Sequence, residues 1–303
     1  MIDAERLLIL REVARHGSKA GAARALSLSE PTVAHHLASL ERQARVPLTA
    51  RVGRVTRLTS AGEALLEHAD AIAASLASAE RAISQHADLS SGRLRIAAFT
   101  SYCAVALPSP LAQFARRYPG VEVGLVETET DDALALLAAG EVDVVIGFAD
   151  DVTPAPRDIP VRMLESDEYL AVMPATHPAA RRETVDVAAL AHDTWISGCQ
   201  RCRAHVHALA DSGGFTPRVA FQTEDYVTVQ RLVAEGLGVA LLPRMALAAS
   251  PEVAGIVTAP TSPTSYREVF LATPLEASAA ARTFVGLLAP LREPAASEAT
   301  TRA

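Results

Sequence analysis

The sequence predicts a multidomain chain, with a small helical domain at the N-terminus and a larger α/β domain after it. The chain has 303 residues, which is more than one hydrophobic core usually organises. Helical periodicity dominates the first 87 residues, whereas short β-rich runs alternate with helical segments after Gly92. Half of the residues are apolar, which excludes a mostly disordered chain.

Three short helices are predicted first, over residues 3–15, 19–25 and 30–42. The third has clear start signals, because Ser29 is a favourable N-cap and Pro31 suits a first turn. Apolar residues recur on it at helical spacing and would share a buried stripe: Val33, Leu37 and Leu40. The opposite face is small, polar and without acids beyond its first residue, so it suits insertion into a DNA major groove.

A basic hairpin and a long helix follow. Gly53 can form a tight turn between two short strands, which predicts a wing beside the helices. This wing would carry three basic side chains: Arg51, Arg54 and Arg57. Residues 60–87 contain no proline and are rich in alanine and leucine, so they predict one long helix. Its apolar surface exceeds what one domain needs, and we expect this helix to mediate dimerisation.

The α/β half begins after a boundary at residues 90–92. Four short β-rich runs are predicted as strands, RLRIAAF, VEVGLVET, VDVVIGF and YLAVMP, and LGVALLP is predicted as another, buried strand. Because helical segments separate them, we expect a mainly parallel sheet. Residues 293–303 are expected to form a disordered tail.

Charge is divided unevenly along the chain. Residues 1–60 have a net charge of +5, whereas the whole chain is at −7, so the remainder is at −12. A basic end on an acidic body fits a protein that presents one end to a polyanion. The N-terminus lacks the basic patch and apolar run of a signal peptide, and prolines interrupt the uncharged run at 96–115. We therefore expect a cytoplasmic protein without a membrane span.

The segment from residue 17 to residue 62 has a specific order: an alanine-rich helix, a leucine, a capping serine with proline, a helix ending in leucine and glutamate, and a closing glycine. The residues that carry this order are Ala22, Ala23, Leu26, Ser29, Pro31, Val33, Leu40, Glu41, Thr59, Ser60, Ala61 and Gly62. The segment resembles the DNA-binding domain of LysR-type transcriptional regulators. RLRIAAF, FARRYPGVEVGLVE, LLAAGEVDVVIG and LVAEGLGVALLP are similar to segments of that family's effector-binding domain. The resemblance covers about residues 3–290.

The resemblance implies a winged helix-turn-helix over residues 1–59, a linker and dimerisation helix over 60–90, and an effector-binding domain over 91–292. The residues expected to contact DNA are Ser29, Glu30, Pro31, Thr32, Ala34, His35, Arg51, Arg54 and Arg57. Two of them depart from the family pattern, since Glu30 replaces a usual glutamine and Ala34 a usual serine. Glu30 could accept a hydrogen bond from a cytosine amino group or only favour the helix N-terminus.

The partners that the resemblance implies are double-stranded DNA, a small-molecule effector and further copies of the chain. Two recognition helices of a dimer would occupy successive major grooves, which predicts an interrupted palindrome as the target. Pairing of two dimers would give a tetramer, and RNA polymerase is a further candidate partner.

The resemblance also implies that the α/β half folds, like periplasmic binding proteins, into two lobes crossed twice by the chain. We expect the crossings near residues 160–163 and 264–268. Lobe I would then contain residues 91–161 and 266–292, and lobe II residues 162–265. An effector bound between the lobes would shift their closure and so change how an assembly presents its DNA-binding heads.

Side chains near the predicted strand ends point to a ligand site independently of the resemblance. Hydroxyl groups lie between a strand and a helix at three places: Thr100 with Ser101, Thr128 with Thr130, and Thr223. Each could help to bind an anion or only cap its helix. Arg201 and Arg203 could pair with a carboxylate, which predicts a small organic acid or amino acid as the effector. The residues expected to bind it are Thr100, Ser101, Cys103, Thr128, Phe148, Ser197, Cys199, Arg201, Cys202 and Thr223.

Cysteines offer an alternative sensor. Cys199 and Cys202 form a CxxC motif, and Cys103 lies in the other lobe, so the three thiols could converge on the cleft. A structural disulfide is not expected in a reducing compartment. Three interpretations stay open, namely simple packing or cleft lining, thiol redox sensing, and metal sensing. A single CxxC does not make a structural zinc site, so we assign no metal ligand and no cofactor.

Two functions of other classes compete with this interpretation. A hydrolase would combine His205 or His207 as the base with one of three nucleophiles: Cys103, Cys199 or Ser101. Neither spacing nor flanking sequence matches a nucleophile elbow or a papain-like signature, so we expect no catalytic residues. A solute-binding protein would have a similar two-lobed domain, but with an export signal in place of the basic N-terminal domain.

Overall fold

The structure is a computed structural model of the chain, and it describes residues 2–52, 55–84 and 89–288. The chain divides into two compact units, one made of Met1–His86 with Ala135–Glu141 and the other of Ala87–Leu134 with Val142–Ala303. Four parts of the sequence predictions lie outside the described residues: the turn at Gly53, Arg54, residues 85–88 of the predicted linker helix and the tail over residues 293–303.

The N-terminal unit combines helices with a two-stranded ribbon, as the sequence predicts. Its elements are α1 (Ala4–His16), α2 (Lys19–Ala25), α3 (Glu30–Ala44), β1 (Thr49–Val52), β2 (Val55–Leu58) and α4 (Ser60–Ser84). The two strands pair antiparallel and form the predicted wing. The long predicted helix is present as α4, whose described part ends at Ser84.

Local signals fix where these helices begin and end. Ser18 Oγ accepts the N–H of Gly21 at 3.0 Å, and Ser29 Oγ accepts the N–H of Thr32 at 3.2 Å. Such caps satisfy amides that have no partner within the first turn of a helix. Gly17 ends α1 with a φ of 61°, a left-handed conformation that glycine adopts without strain at a Cβ atom.

One hydrophobic core holds the N-terminal unit together. The predicted stripe of Val33, Leu37 and Leu40 on α3 is buried, which confirms it. Leu10 and Val13 of α1 belong to the same cluster. Because this stripe faces inward, the opposite face of α3 is left at the surface.

The α/β unit alternates strands and helices along the chain. Its strands are β3 (Gly92–Ala98), β4 (Val121–Glu127), β5 (Val144–Ala149), β6 (Val161–Pro174), β7 (Val185–Asp186), β8 (Thr194–Ser197), β9 (Arg218–Gln222), β10 (Val239–Pro243), β11 (Ile256–Ser262) and β12 (Tyr266–Ala272). Its helices are α5 (Thr100–Val105), α6 (Pro108–Arg117), α7 (Thr130–Ala138), α8 (Gln200–Ser212), α9 (Tyr226–Ala234), α10 (Arg244–Ala249) and α11 (Ala279–Leu287), with a 3₁₀ turn at Val187–Leu190.

The strands are hydrogen-bonded in the order β4-β3-β5-β12-β6-β10-β8-β9, with β11 beside β6 and β7 beside β11. β3 pairs parallel with β4 and β5, and β8 pairs parallel with β9 and β10. The long strand β6 pairs antiparallel with β10, β11 and β12, and β12 pairs antiparallel with β5. The sheet is therefore mixed, with two parallel parts joined by an antiparallel centre, rather than mainly parallel.

The strand β6 belongs to both halves of this sheet. Its residues 161–168 pair with β12, whereas residues 169–174 pair with β10 and β11. The exchange of partners thus falls between Glu168 and Tyr169, beyond the crossing predicted at 160–163. We call the half with β3, β4, β5 and β12 lobe I, and the half with β7 to β11 lobe II.

Each lobe has its own hydrophobic core. Phe114 and Phe284 pack edge to face at 5.8 Å in the core of lobe I, and Trp195 and Leu241 lie in that of lobe II. Buried apolar area of this kind supplies most of the stability of each lobe. Within the described residues, no helix is long and apolar enough to cross a membrane.

Candidate functional site

The first candidate surface is the start of α3, where the sequence predicts base contacts. Ser29 caps the helix, and its Oγ lies 2.7 Å from Thr32 Oγ1. Glu30, Pro31 and His35 are exposed, as is Ser29, whereas Thr32 is half-buried. The cap therefore presents an ordered first turn whose outward side chains are available to a ligand.

A groove in the same unit brings α3 next to the wing. It is lined by Lys19 at the start of α2, Glu30 and Ala34 of α3, and Arg51 of the wing. Lys19 is a basic residue that is not among the predicted DNA contacts. The signal that could have revealed it is its position directly after the capping Ser18, at the start of the helix that precedes α3.

The wing places its two described arginines on different faces. The register pairs Ala50 with Arg57 and Arg51 with Thr56, and paired residues of an antiparallel ribbon share a face. Arg51 therefore points to the opposite side from Arg57. Arg57 lines a second groove, together with Gly17, Glu63 and other residues. The sequence alone could not show that Arg51 and Arg57 lie on opposite faces, because this depends on how the two strands pair.

A single glutamate holds the wing onto α3. Glu41 Oε1 accepts the N–H of Leu48 at 3.0 Å and the N–H of Thr49 at 3.1 Å. Hydrogen bonds to a carboxylate are stronger than those between neutral groups. The orientation of the wing relative to α3 is thus set by a charged anchor near the C-terminal end of α3.

The second candidate site lies between the lobes of the α/β unit, around the buried Arg267 of β12. Its NH2 donates to Ser101 Oγ at 2.8 Å, and its guanidinium lies 4.7 Å from the ring centre of Phe99 and 4.9 Å from that of Phe148. Asp167 of β6 accepts from its Nε at 2.9 Å. Arg267 is only 1% exposed, so this cation is buried with its counter-charge beside it.

A second arginine of the cleft, Arg201 of α8, contacts the other lobe. Its Nε and NH2 donate to the two carboxylate oxygens of Asp131 at 3.2 and 2.6 Å, and its NH1 donates to the backbone oxygen of Phe148 at 3.2 Å. The Asp131 side chain is 73% exposed, while that of Arg201 is 9% exposed. A buried guanidinium thus holds an exposed carboxylate in a bidentate pair across the cleft.

The CxxC cysteines come together at the first turn of α8. Cys199 Sγ donates to Cys202 Sγ at 2.9 Å, and it accepts the N–H of Cys202 at 3.3 Å as the helix cap. Cys103 lies elsewhere, because its Sγ donates to the carbonyl of Ala98 at 3.4 Å and it packs against the core of lobe I. Burial raises the pKa of Cys103 to about 12.

The remaining predicted effector residues fall into two groups. Thr223 lies beside Ser197, whose carbonyl accepts its N–H at 3.1 Å. Thr100 instead donates to Glu127 at 3.0 Å, and Thr128 donates its N–H to Ala98. Phe148 and Arg201 are therefore joined across the two lobes, next to the cysteine pair, whereas Ser197 and Thr223 contact each other within lobe II. Thr100, Ser101, Cys103 and Thr128 have hydrogen bonds within lobe I.

Several buried polar atoms near the cleft have no hydrogen-bond partner among the described residues. They include Glu129 Oε2, the Tyr169 hydroxyl and Ser197 Oγ. Burial raises the pKa of Glu129, and neighbouring groups such as Cys199 offset only part of this effect. Unsatisfied groups of this kind cost free energy until a ligand or water pairs with them.

His205, a possible catalytic base in the sequence predictions, contacts residues at both places where the chain passes between the lobes. His205 of α8 lies 3.1 Å from Asp150 Oδ2 through Nδ1 and is hydrogen-bonded to Ser265 Oγ through Nε2. Tyr169 stacks on its ring at 4.3 Å. Both ring nitrogens thus face Asp150 and Ser265, which are not among the three predicted nucleophiles. This position favours a structural connection between the lobes.

The described residues contain no group of three or more histidine, cysteine, aspartate or glutamate side chains that could hold a metal ion. The cleft offers arginines, hydroxyls, a carboxylate and two thiols, which suit recognition of a polar small molecule.

Comparison with known proteins decides the family. Residues 4–63 match the family described as bacterial regulatory helix-turn-helix protein, lysR family, and residues 87–291 match the LysR substrate binding domain. The chain belongs to the LysR family. It is a transcriptional regulator with a DNA-binding domain and an effector-binding domain, and not an enzyme. The solute-binding alternative is excluded by the helix-turn-helix match.

Relatives of this LysR regulator support the same conclusion over most of its length. It is 32% identical to the probable HTH-type transcriptional regulator LrrA of Synechococcus elongatus over 82% of this chain and 83% of that one. A full-length OxyR variant of Pseudomonas aeruginosa has a TM-score of 0.69 at 20% identity, covering 95% of this chain and 93% of the other. Full-length CbnR in complex with its target DNA has a TM-score of 0.60 at 23% identity, covering 94% of this chain and 98% of the other. These two likenesses show that the fold is that of LysR regulators.

Proposed function

We propose that this LysR regulator reads double-stranded DNA through the first turn of α3, with Arg51 of the wing and Lys19 beside it. The observation that carries the proposal is the groove in which Lys19 and Arg51 flank Glu30 and Ala34 at the exposed start of α3. Basic side chains position a protein on phosphates, and short polar side chains on a helix contact base edges. His35, exposed one turn further along α3, completes the candidate contact set.

The target we propose is an interrupted palindrome bound by a dimer. Leu76 and Ile83 on α4 are 50% and 74% exposed, which provides apolar surface for a second copy of the helix. A two-fold dimer would place two α3 helices in successive major grooves. Pairing of dimers, contact with RNA polymerase and a location in the cytoplasm belong to the same proposal.

Selection of bound sequences from random DNA tests this proposal. The purified chain should enrich an interrupted palindrome, and His35→Ala should abolish that enrichment. His68→Ala is the matched control, because His68 is an exposed histidine on α4 away from the predicted contact set. Equal enrichment by His35→Ala would refute the assigned recognition surface. Failure of the unaltered chain to enrich DNA, with and without added carboxylates, would refute DNA reading by this surface.

We propose further that the effector is a small molecule with a carboxylate, bound between the lobes at Arg201. Its support is the pair that Arg201 already forms with the exposed Asp131, because a ligand carboxylate could replace that protein carboxylate with the same bidentate geometry. The Tyr169 hydroxyl and Ser197 Oγ, which have no partner among the described residues, could then bind polar groups elsewhere on the ligand.

Calorimetry with the full chain tests the effector class. Small organic acids and amino acids should bind, whereas their matched amides should bind at least about tenfold more weakly, the loss expected for an unmade hydrogen bond to a charged group. Arg201→Gln should abolish the preference for the acid. Arg218→Gln is the control, since Arg218 is exposed on β9. Equal binding of acids and amides would exclude a carboxylate effector.

A further inference from the structure

The two CxxC cysteines occupy the start of a long helix and contact each other. Cys199 precedes α8, a helix of 13 residues, and its Sγ lies 2.9 Å from that of Cys202. The same sulfur caps the helix by accepting the N–H of Cys202. Two thiols at this separation need little movement to reach the bond length of a disulfide, about 2.05 Å.

The environment makes the two thiols unequal. The hydrogen bond from Cys199 lowers the pKa of Cys202 most strongly, burial opposes it, and the nearby guanidinium of Arg267 lowers it further. The same hydrogen bond, together with burial, raises the pKa of Cys199. Cys202 is also the more exposed of the two, because it is half-buried while Cys199 is 7% exposed. Cys202 is therefore suited to attack and Cys199 to complete the bond.

Cys103 provides a contrast within the same chain. Burial raises its pKa to about 12, and its Sγ donates to the backbone oxygen of Ala98. A thiol of this kind stays protonated and unreactive at neutral pH. The chain thus carries one reactive pair and one inert cysteine, which serves as an internal control.

We propose that Cys199 and Cys202 form a reversible disulfide by exchange with a small-molecule disulfide, and that this oxidation regulates the effector cleft. The regulatory part of this inference rests on the proposed function, in which the cleft controls DNA binding. The formation of the disulfide does not depend on it. Disulfide formation can be measured without DNA, so its failure is distinguishable from failure of the proposed function.

The exchange proceeds in two balanced steps. The Cys202 thiolate attacks one sulfur of the small disulfide, a mixed disulfide forms, and one small thiolate leaves. Cys199 then gives up its proton to solvent or to Glu129 and attacks Cys202 Sγ, which expels the second small thiolate. The two protein sulfurs are oxidised by two electrons, and the small disulfide is reduced to two thiols. Glu129 is placed for this proton because it neighbours Cys199, and burial raises its pKa.

Arg201 connects this chemistry to the cleft. It lies between the two cysteines in the first turn of α8 and holds Asp131 and the Phe148 carbonyl of lobe I. Closing the disulfide draws Cys202 towards the cap and changes the first turn that orients Arg201. Oxidation should therefore weaken or re-aim the pair between Arg201 and Asp131, and with it the closure of the two lobes.

The first experiment measures the disulfide itself. The full chain is equilibrated with mixtures of reduced and oxidised glutathione, quenched in acid, alkylated and mapped by mass spectrometry. We expect a link between Cys199 and Cys202, with Cys103 alkylated throughout. Cys103→Ser should behave like the unaltered chain, whereas Cys199→Ser should stop at the mixed glutathione adduct on Cys202. Protection of Cys202 by alkylation before oxidation should abolish the link.

Three results would overturn the proposal. One is that both thiols remain fully alkylatable at every glutathione ratio. Another is that Cys202→Ser and Cys199→Ser form the same adduct to the same extent, since this would show no difference between the thiols. The third is that a hydroperoxide forms the link while oxidised glutathione does not, because exchange would then not be the route.

The second experiment measures the coupling to DNA. The operator obtained by selection is titrated with oxidised and reduced protein, and the two affinities should differ by about fivefold or more, the lower range of typical coupling between sites. The difference should disappear in Cys199→Ser. Equal affinities of the two forms would overturn the regulatory half of the proposal while the disulfide stands. Failure of both forms to bind DNA would instead refute the proposed function.

Discussion

Arg267 and Asp167 form an ion pair with almost no access to solvent, at 2.9 Å between Nε and Oδ2. Arg267 is 1% exposed and Asp167 is 6% exposed. The pair joins β12 to β6, the two strands through which the lobes are connected. The second oxygen of Asp167 accepts the N–H of Met245, so the carboxylate also orders the start of α10. Removing one member leaves the other buried without its counter-charge.

Asp167→Ala should therefore destabilise the α/β unit by about 3–5 kcal/mol. The buried guanidinium of Arg267 would lose its ion pair, and the cost of burying a charge would no longer be offset. Urea unfolding monitored at Trp195, in the core of lobe II, measures the change. The double variant Asp167→Ala with Arg267→Met should recover part of the loss, because it leaves no unpaired charge. Equal stability of the two variants would show that charge burial is not the cause.

Asp131→Asn should increase the affinity of the proposed carboxylate effector severalfold. Asp131 holds the Arg201 guanidinium, and the neutral amide competes less well with an incoming carboxylate. Calorimetry with an acid that binds the unaltered chain tests this. The control is Asp132→Asn, which removes an adjacent exposed acid on the same helix. A weaker affinity in Asp131→Asn would mean that Asp131 contacts the ligand and does not compete with it.

The order of the elements could be predicted from the sequence because it depends on local signals. Ser29 and Pro31 mark the start of α3, and the spacing of Val33, Leu37 and Leu40 fixes its buried face. The strands of the α/β unit are short apolar runs between helices, and these are also local patterns. The sheet differs from the expected parallel arrangement because β6 and β12 carry the chain between the lobes, which no local pattern indicates.

The cleft could be predicted only in part, because its contacts join residues far apart in the sequence. Ser101, Arg201 and the CxxC pair were found from their residue types and positions, although their assignment to an effector stays a prediction. Arg267 was missed, even though a single arginine within an apolar strand is a signal for a buried charge with a partner. The pairing of Arg201 with Asp131 could not be predicted, because the two residues are 70 positions apart in the sequence and only the fold brings them together.

The stability of the α/β unit should fall in acid through Asp150. Burial alone would raise the pKa of Asp150, but the interactions with His205 and with the N–H groups of Thr153 and Val152 outweigh it and lower the pKa. A carboxylate with a lowered folded pKa contributes stability that is fully present above its unfolded value of about 3.9. That contribution is lost as the pH falls through the folded pKa. Unfolding free energies between pH 2 and pH 6 should therefore decline more steeply for the unaltered chain than for Asp150→Asn.

Gly62→Ala should destabilise the N-terminal unit by about 1–3 kcal/mol, the usual cost of overpacking. A Cβ at Gly62 would collide with the backbone oxygen of Leu48, which cannot move without disturbing the wing. Thr59 stabilises the same region, because its Oγ1 accepts the N–H of Gly62 and donates to the carbonyl of Pro47. Thermal unfolding measures the loss, and Gly286→Ala is the control, since space around Gly286 is open.

The two described wing arginines should differ in their effect on DNA binding, because the strand register separates them. Arg51 lines the groove shared with Lys19 and α3, whereas Arg57 lies on the opposite face of the ribbon. If α3 enters the DNA major groove, the face of the wing on the same side of the protein as the start of α3 is the one that meets the DNA phosphates. Removing one phosphate interaction from a B-DNA complex lowers the slope of log affinity against log salt by about 0.9. Arg51→Ala should show this decrease for each half-site, and Arg57→Ala should show a smaller one.

The measurement is fluorescence anisotropy of a labelled operator at several salt concentrations. A larger decrease in Arg57→Ala would mean that DNA lies against the other face of the wing, and the contact set proposed for α3 would then have to be revised with it.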